Sequence, residues 1–187
     1  MIPALQVPGR WGVPERDFAD AMAHAEASAF LARESEYMDS RRFSEWAELV
    51  DESFRYLVPV PVTPDNPLSP PFDPECLLLD ESKASMIQLW FRRYEKGMYE
   101  IAWGENPPVR LRHFVTNVRV RGTDDENVYD VRSNVLLIGV RQGDAPAFLS
   151  AERFDLVRRT DTGLRLLRRI AILDETLLAF PQVRAML

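Results

Sequence analysis

Apolar positions along this chain change spacing twice, and each change marks a different kind of element. Between Pro14 and about Met38 they recur three or four residues apart, at Phe18, Met22, Ala25 and Ala29, the period of a helix with one buried face. Pro14 suits the first turn of that helix, and Glu15 and Asp17 suit its positive end. A shorter helix is predicted from about Arg41 to Val50, with Phe43, Trp46 and either Leu49 or Val50 on one face. The period then falls to two. Phe54, Tyr56 and Val58 alternate with Arg55 and Leu57, giving a strand expected to stop at Pro59, which has no N–H for a ladder.

Residues 59–79 read as a proline-rich excursion, because Pro59 to Pro74 holds half of the chain's 14 prolines. Such density excludes helix and central strand there. Asp80 is the expected N-cap of a third helix that runs through Met86, Leu89, Trp90 and Arg93 to about Tyr94 and ends near Gly97. After the corner Glu105-Asn106-Pro107-Pro108 come four strands in series: Arg110 to Arg121, Val128 to Arg141, Ala147 to Arg159 and Leu164 to Asp174. The connections between them are rich in Gly, Asp and Asn, as hairpins require. Residues 1–13 are expected to be an extended arm of the kind that packs on a neighbouring chain, and 175–187 a tail. Helices first and a long meander afterwards predict one α+β domain over 1–187, a curved antiparallel sheet wrapped around N-terminal helices.

Composition narrows the chemistry. A chain of 187 residues with 46% apolar content suits one well-buried domain. A net charge of −6 and a pI near 5.1 argue against a nucleic-acid surface. No run of about 18 apolar residues and no basic-then-apolar leader is visible, so the expected location is cytoplasmic, with no membrane partner. One cysteine, Cys76, agrees with a reducing compartment. A Rieske cluster takes two Cys and two His, and a mononuclear oxygenase iron takes two further His and a carboxylate. With only His24, His113 and Cys76, the chain lacks the ligands for the cluster. No Gly-rich phosphate loop, nucleophile elbow or CxxC pair is present.

Five stretches occur in a telling order: Asp39-Ser40-Arg41-Arg42-Phe43-Ser44-Glu45-Trp46, Phe54-Arg55-Tyr56-Leu57-Val58-Pro59, the helical run Asp80 to Tyr94, WGENPPVRLRHFVTNVRV from Trp103 to Val120, and Arg168-Arg169-Ile170-Ala171-Ile172-Leu173-Asp174. In that order and spacing the chain resembles the small (beta) subunit of aromatic-ring-hydroxylating dioxygenases, the Rieske non-haem iron oxygenases. Val109 and Leu111 after the prolines, and Pro181 in the tail, depart from the pattern of many relatives. The resemblance implies the cystatin-like (nuclear transport factor two-like) cone. It also implies a non-catalytic structural subunit that assembles with an alpha subunit, as alpha3beta3 with beta–beta trimer contacts. The Rieske [2Fe-2S] cluster and mononuclear Fe(II) would lie in the alpha subunit, with none in this chain. A ferredoxin and a reductase would bring electrons from NADH, and the alpha subunit would cis-dihydroxylate an aromatic substrate with O2.

Relatives of the cone also use its interior as an enzyme pocket, so a stand-alone cone-fold enzyme or small-ligand binder is the alternative, and a homo-trimer without its alpha partner a third. The groups such an enzyme would use are Asp39, Tyr56, Glu100 and His113, although nothing in their spacing brings them together. We expect large Trp, Phe and Leu side chains to fill the cone. His113 lies on a strand face of mixed character, Leu111, His113, Val115, Asn117 and Arg119, and is read as a hydrogen-bonding or interface residue; His24 is read as a helix surface residue. The many strand arginines are assigned to ion pairs across strands or subunits. No catalytic, cofactor or metal residue is assigned. The expected subunit interface comprises Trp103, Pro107, Pro108, Arg110 and Arg112, rigid apolar surface beside fork-shaped cations, together with Asn117.

Overall fold

Asp20 decides where the first helix begins. Its backbone is extended, and its carboxylate accepts a hydrogen bond from Ala23 N–H at 2.8 Å. Just before it, Ala19 N–H donates to the Val120 carbonyl at 2.9 Å and Phe18 bridges to Arg121, so these residues pair with a strand instead of extending the helix toward Pro14. The first helix, α1, is therefore Ala21–Asp39. Its buried face is Ala23, Ala27, Phe30, Leu31, Glu34 and Met38, rotated from the one predicted, and Phe18 and Met22 are both 67% exposed. The computed structural model describes residues 5, 7, 16–95, 97–102, 106–176 and 186–187.

The second helix, α2, spans Phe43–Leu49, because Arg41 takes a positive φ and Val50 already opens the next strand. β1 is Val50–Pro61 and β2 is Phe72–Ser82. Both correct the expectation from sequence. β1 passes through Pro59 because the pairing with β2 shifts register on both sides of that residue, where an N–H is not needed for the ladder. β2 arises inside the proline-rich excursion. It has one neighbour, so Pro74 is tolerated on the open edge. Asp80 belongs to β2 and forms an ion pair with Arg55 on β1. The helix cap is Ser82, which exchanges hydrogen bonds with Ser85. From this cap runs one irregular helical stretch: α3 at Lys83–Ser85, a π-helical turn at Met86–Trp90 and a 3-10 turn at Phe91–Tyr94. The positive φ of Gly97 separates it from α4, Met98–Ile101.

β3 (Arg110–Gly122), β4 (Val128–Val140), β5 (Ala147–Thr160) and β6 (Gly163–Leu173) match the predicted strands to within a residue at each end. The sheet order is β2-β1-β6-β5-β4-β3. All neighbours are antiparallel except β1 and β6, so the expected antiparallel sheet is in fact mixed. The helices lie against its concave side, where Trp46, Phe54, Tyr56, Leu137, Leu149 and Leu166 are almost fully buried. Phe43 stacks on Phe91 at 4.1 Å, and Trp46 meets Phe54 and Phe91 edge-on at 5.8 and 5.1 Å, which ties α2 to β1 and the irregular helix.

Two details correct the predicted faces. Asn117 has a positive φ and sits in a bulge between Thr116 and Arg119. The bulge inverts the strand's phase, so Leu111, His113 and Val115 are followed inward by Val118 and Val120, while Asn117 is exposed. Leu5 and Val7 of the arm pack with Leu57, Phe72, Phe154, Ile170 and Ile172 in a second apolar cluster of this same chain, where Leu5 N–H donates to Pro74 at 2.9 Å.

Candidate functional site

Three strands bring polar side chains into register on the concave face. Tyr56 on β1 stands opposite Arg169 on β6, and Arg169 stands opposite Asp155 on β5. Arg153 faces the same way two residues earlier, and α1 supplies Glu34. Arg169 lies between two carboxylates and makes a fork with each. Its Nε and Nη2 donate to Asp155 at 2.9 and 2.8 Å, and its Nη1 and Nη2 donate to Glu34 at 2.7 and 2.9 Å. Trp46 Nε1 donates to Glu34 at 3.3 Å. Arg153 approaches Glu34 to 3.7 Å and donates from Nε to Ser133 Oγ at 3.0 Å. Its Nη2 is buried without a hydrogen-bond partner among the described residues.

The charges settle one another's protonation. Burial would push the Glu34 carboxyl up, but the Arg169 and Arg153 guanidiniums outweigh it and bring it down to about 2. Burial would likewise weaken the Arg169 cation, and Asp155 and Glu34 hold its pKa above the ordinary value. Arg153, whose burial is joined by repulsion from Arg169, falls to about 10. Burial raises the Tyr56 phenol to about 12.

A second polar pair stands at the end of α1. His113 Nδ1 is 2.7 Å from Asp39 Oδ1, and His113 backbone N–H donates to both carboxylate oxygens at 3.2 and 3.3 Å. Arg112 flanks the same carboxylate at 3.5 Å. The other ring nitrogen, Nε2, is 3.0 Å from the Met186 carbonyl. Leu187 completes the connection: its N–H donates to Tyr56 Oη at 3.1 Å and its carbonyl accepts from Arg169 Nη1 at 3.2 Å. Met186 and Leu187 are 1% and 0% exposed. One polar network thus runs from Asp39 through His113, Met186, Leu187 and Tyr56 to Arg169, Glu34 and Asp155.

Of the enzyme-type candidates, the fold gathers Asp39, His113 and Tyr56 around this network and leaves Glu100 exposed on α4. Their polar atoms meet the chain's own backbone, and among the described residues Trp46, Phe54, Leu137, Leu149 and Leu166 are buried in the core. Beside Asp39, a void of about 10 Å³ lined by Arg41, Phe43 and Tyr94 has room for no more than one water. An open groove of about 610 Å³ lies outside, between α1, α2 and the turn from β5 to β6. Sequence reasoning missed Glu34, Arg153, Asp155 and Arg169 as interior groups. Glu34 falls on the same helical face as Ala27, Phe30, Leu31 and Met38, and Arg153 and Asp155 share strand parity with Leu149, Ala151 and Val157.

The strand arginines do pair across strands within the chain: Arg119 reaches Glu152 at 3.1 Å. His24 is exposed on α1, as expected, with its ring 3.0 Å from the Val118 carbonyl. Of the expected interface residues, Pro107 and Pro108 are exposed at a corner whose carbonyls accept from Arg141 at 2.9 and 3.1 Å, and the Asn106–Pro107 peptide is cis. Arg110 and Arg112 point outward from β3, and Trp103 lies outside the described residues. On the same outer face Phe114 pairs with Leu136 and Ile138 with Phe148. Phe114, Leu136, Val140 and Phe148 are between 38% and 50% exposed, which makes this a contiguous apolar patch bordered by Arg110 and Arg112.

The chain's own residues do not fit a Rieske cluster. Cys76 is exposed on the edge strand, His24 lies on α1, and both ring nitrogens of His113 are already engaged.

Comparison with known proteins agrees with this fold. A family model described as the ring hydroxylating beta subunit matches residues 33–179. A chain of naphthalene 1,2-dioxygenase with indole bound in the active site superposes with a TM-score of 0.76 at 21% identity, covering 90% of this chain and 88% of that one. The beta subunit of the benzoate 1,2-dioxygenase from Burkholderia mallei superposes at 0.63 and 15% identity, covering 90% and 99%. ActVI-ORFA from Streptomyces coelicolor shares the fold at 0.58 and 18% identity, covering 82% and 98%.

Proposed function

Since this chain belongs to the ring-hydroxylating dioxygenase beta subunit family, we propose that it is the non-catalytic structural subunit of an oxygenase whose chemistry lies in an alpha subunit. The observation that carries this reading is the contrast between its two sheet faces. On the concave face the acid–base groups are engaged by Met186 and Leu187, and on the convex face an apolar patch beside Arg110 and Arg112 is exposed. A free-standing enzyme needs the first surface open; a subunit needs the second.

In this reading the alpha subunit carries the Rieske [2Fe-2S] cluster and the mononuclear iron, and accepts electrons from NADH through a ferredoxin and a reductase. It dihydroxylates an aromatic ring with O2 in an alpha3beta3 assembly in the cytoplasm. The beta chain contributes beta–beta contacts and a platform for alpha. Arg110, Arg112, Pro107, Pro108 and Asn117 surround the docking face, with Phe114, Leu136 and Phe148 as its apolar centre. Aromatic and Arg residues are those enriched at interface centres. No helix among the described residues is long and apolar enough to cross a membrane.

Co-expression with an alpha subunit tests the assignment. The expected result is co-purification in one complex with all iron in alpha. A beta chain that stays monomeric, or that holds stoichiometric iron by itself, overturns it.

A further inference from the structure

We infer that the concave side of the sheet is a ligand site for an apolar, peptide-like molecule of dipeptide size, filled in cis by Met186 and Leu187. Three buried side chains from three strands build it, and each gives one polar group to the backbone of that pair. His113 Nε2 faces the Met186 carbonyl at 3.0 Å, Tyr56 Oη accepts from Leu187 N–H at 3.1 Å, and Arg169 Nη1 donates to the Leu187 carbonyl at 3.2 Å. The Met186 and Leu187 side chains join the main core. The set therefore recognises a carbonyl, an N–H and a second acyl oxygen at peptide spacing, between two apolar seats.

Two of the three receiving groups, His113 and Arg169, are held without help from Met186 or Leu187. Asp39 fixes the His113 ring and backbone, and Glu34 and Asp155 clamp Arg169 from both sides. A seat fixed by its own supports is preorganised for another occupant with the same pattern. Arg153 adds an independent observation: its Nη2 is buried beside Glu34 with no hydrogen-bond partner among the described residues, a donor left for a ligand with one more acceptor. The site lies on the opposite face of the sheet from the apolar docking patch, and Arg112 is the residue that touches both, through Asp39 at 3.5 Å.

The full chain carrying Met186→Gly and Leu187→Gly keeps its length and empties both apolar seats. The probes are N-acetyl-methionyl-leucine and its amide, each followed by calorimetric titration and thermal melting. The variant is expected to bind one equivalent and to recover most of its lost melting temperature. The parent chain should bind far more weakly, because its own segment competes at high effective concentration. Adding Tyr56→Phe should weaken the variant's affinity about tenfold, the loss of one hydrogen bond. N-acetyl-glycyl-glycine amide should not bind. A folded variant without saturable binding, or with binding indifferent to Tyr56→Phe, overturns the site. If the variant does not fold alone, refolding with a probe must restore it, and failure to do so overturns the site equally.

Discussion

Tyr56 and Arg169 stand opposite one another on β1 and β6, and between them they hold both backbone groups of Leu187, at 3.1 and 3.2 Å. The pair joins the two strands to a residue 131 positions from Tyr56 in sequence. Their environments are set by the same buried charges, so disturbing one charge disturbs the seat. The interior is thus a stability element as well as a recognition surface.

Arg169→Met should destabilise the chain by about 3 to 5 kcal/mol, because it leaves Glu34 and Asp155 buried without their shared cation. Urea unfolding of the isolated subunit measures this. A loss below about 1 kcal/mol would show that the two carboxylates are relieved by other groups.

Glu34 predicts acid sensitivity. In the unfolded chain its carboxyl takes up a proton near 4.5, whereas in the folded chain it resists until about 2. Its contribution is therefore present above about 4.5 and is lost as the pH falls toward about 2. Stability measured across that interval should fall less steeply in Glu34→Gln than in the parent, even though the variant starts lower. Parallel curves would contradict the assignment.

Tyr56→Phe should cost about 1 to 2 kcal/mol, since Leu187 N–H loses its acceptor in a buried place. In the assembled oxygenase, per-iron turnover of Tyr56→Phe and of His113→Ala should stay near that of the parent wherever assembly survives. Loss of a general acid or base typically costs about 10²- to 10⁴-fold. A complex of normal mass with turnover down about a hundredfold would place chemistry in this subunit.

The purified chain alone should show neither stoichiometric iron nor Rieske absorbance, because one Cys and two His do not supply the cluster's four ligands. Metal analysis and visible spectroscopy check this directly.

The four long strands were legible because alternating side chains and Gly- or Asn-bearing turns are local signals. β2 was hidden by the prolines that precede it and by Pro74, which is tolerated only because the strand has a single neighbour, a fact of sheet order and not of the stretch itself. Asn117 shows a subtler limit: one bulge residue inverts the strand's parity, so counting by twos assigned Val118 and Val120 to the wrong face. Asp39, Tyr56 and His113 were nameable by residue type, but their meeting depends on Met186 and Leu187 returning from the far end of the sequence. The Glu34–Arg169 fork joins residues 135 positions apart, and no spacing rule reaches that far.

The convex face decides the account. Arg110 and Arg112, next to Phe114 and Phe148, are assigned to contact with other subunits, so Arg110→Ala with Arg112→Ala should weaken the complex while lowering the melting temperature of the isolated chain only slightly, by the loss of the exposed Arg112 from Asp39. The measurement is complex mass by light scattering at falling protein concentration. The double variant is expected to dissociate at clearly higher concentration than the parent, by about 2 to 5 kcal/mol where a partner charge is left buried and unpaired. Identical dissociation of variant and parent would contradict it.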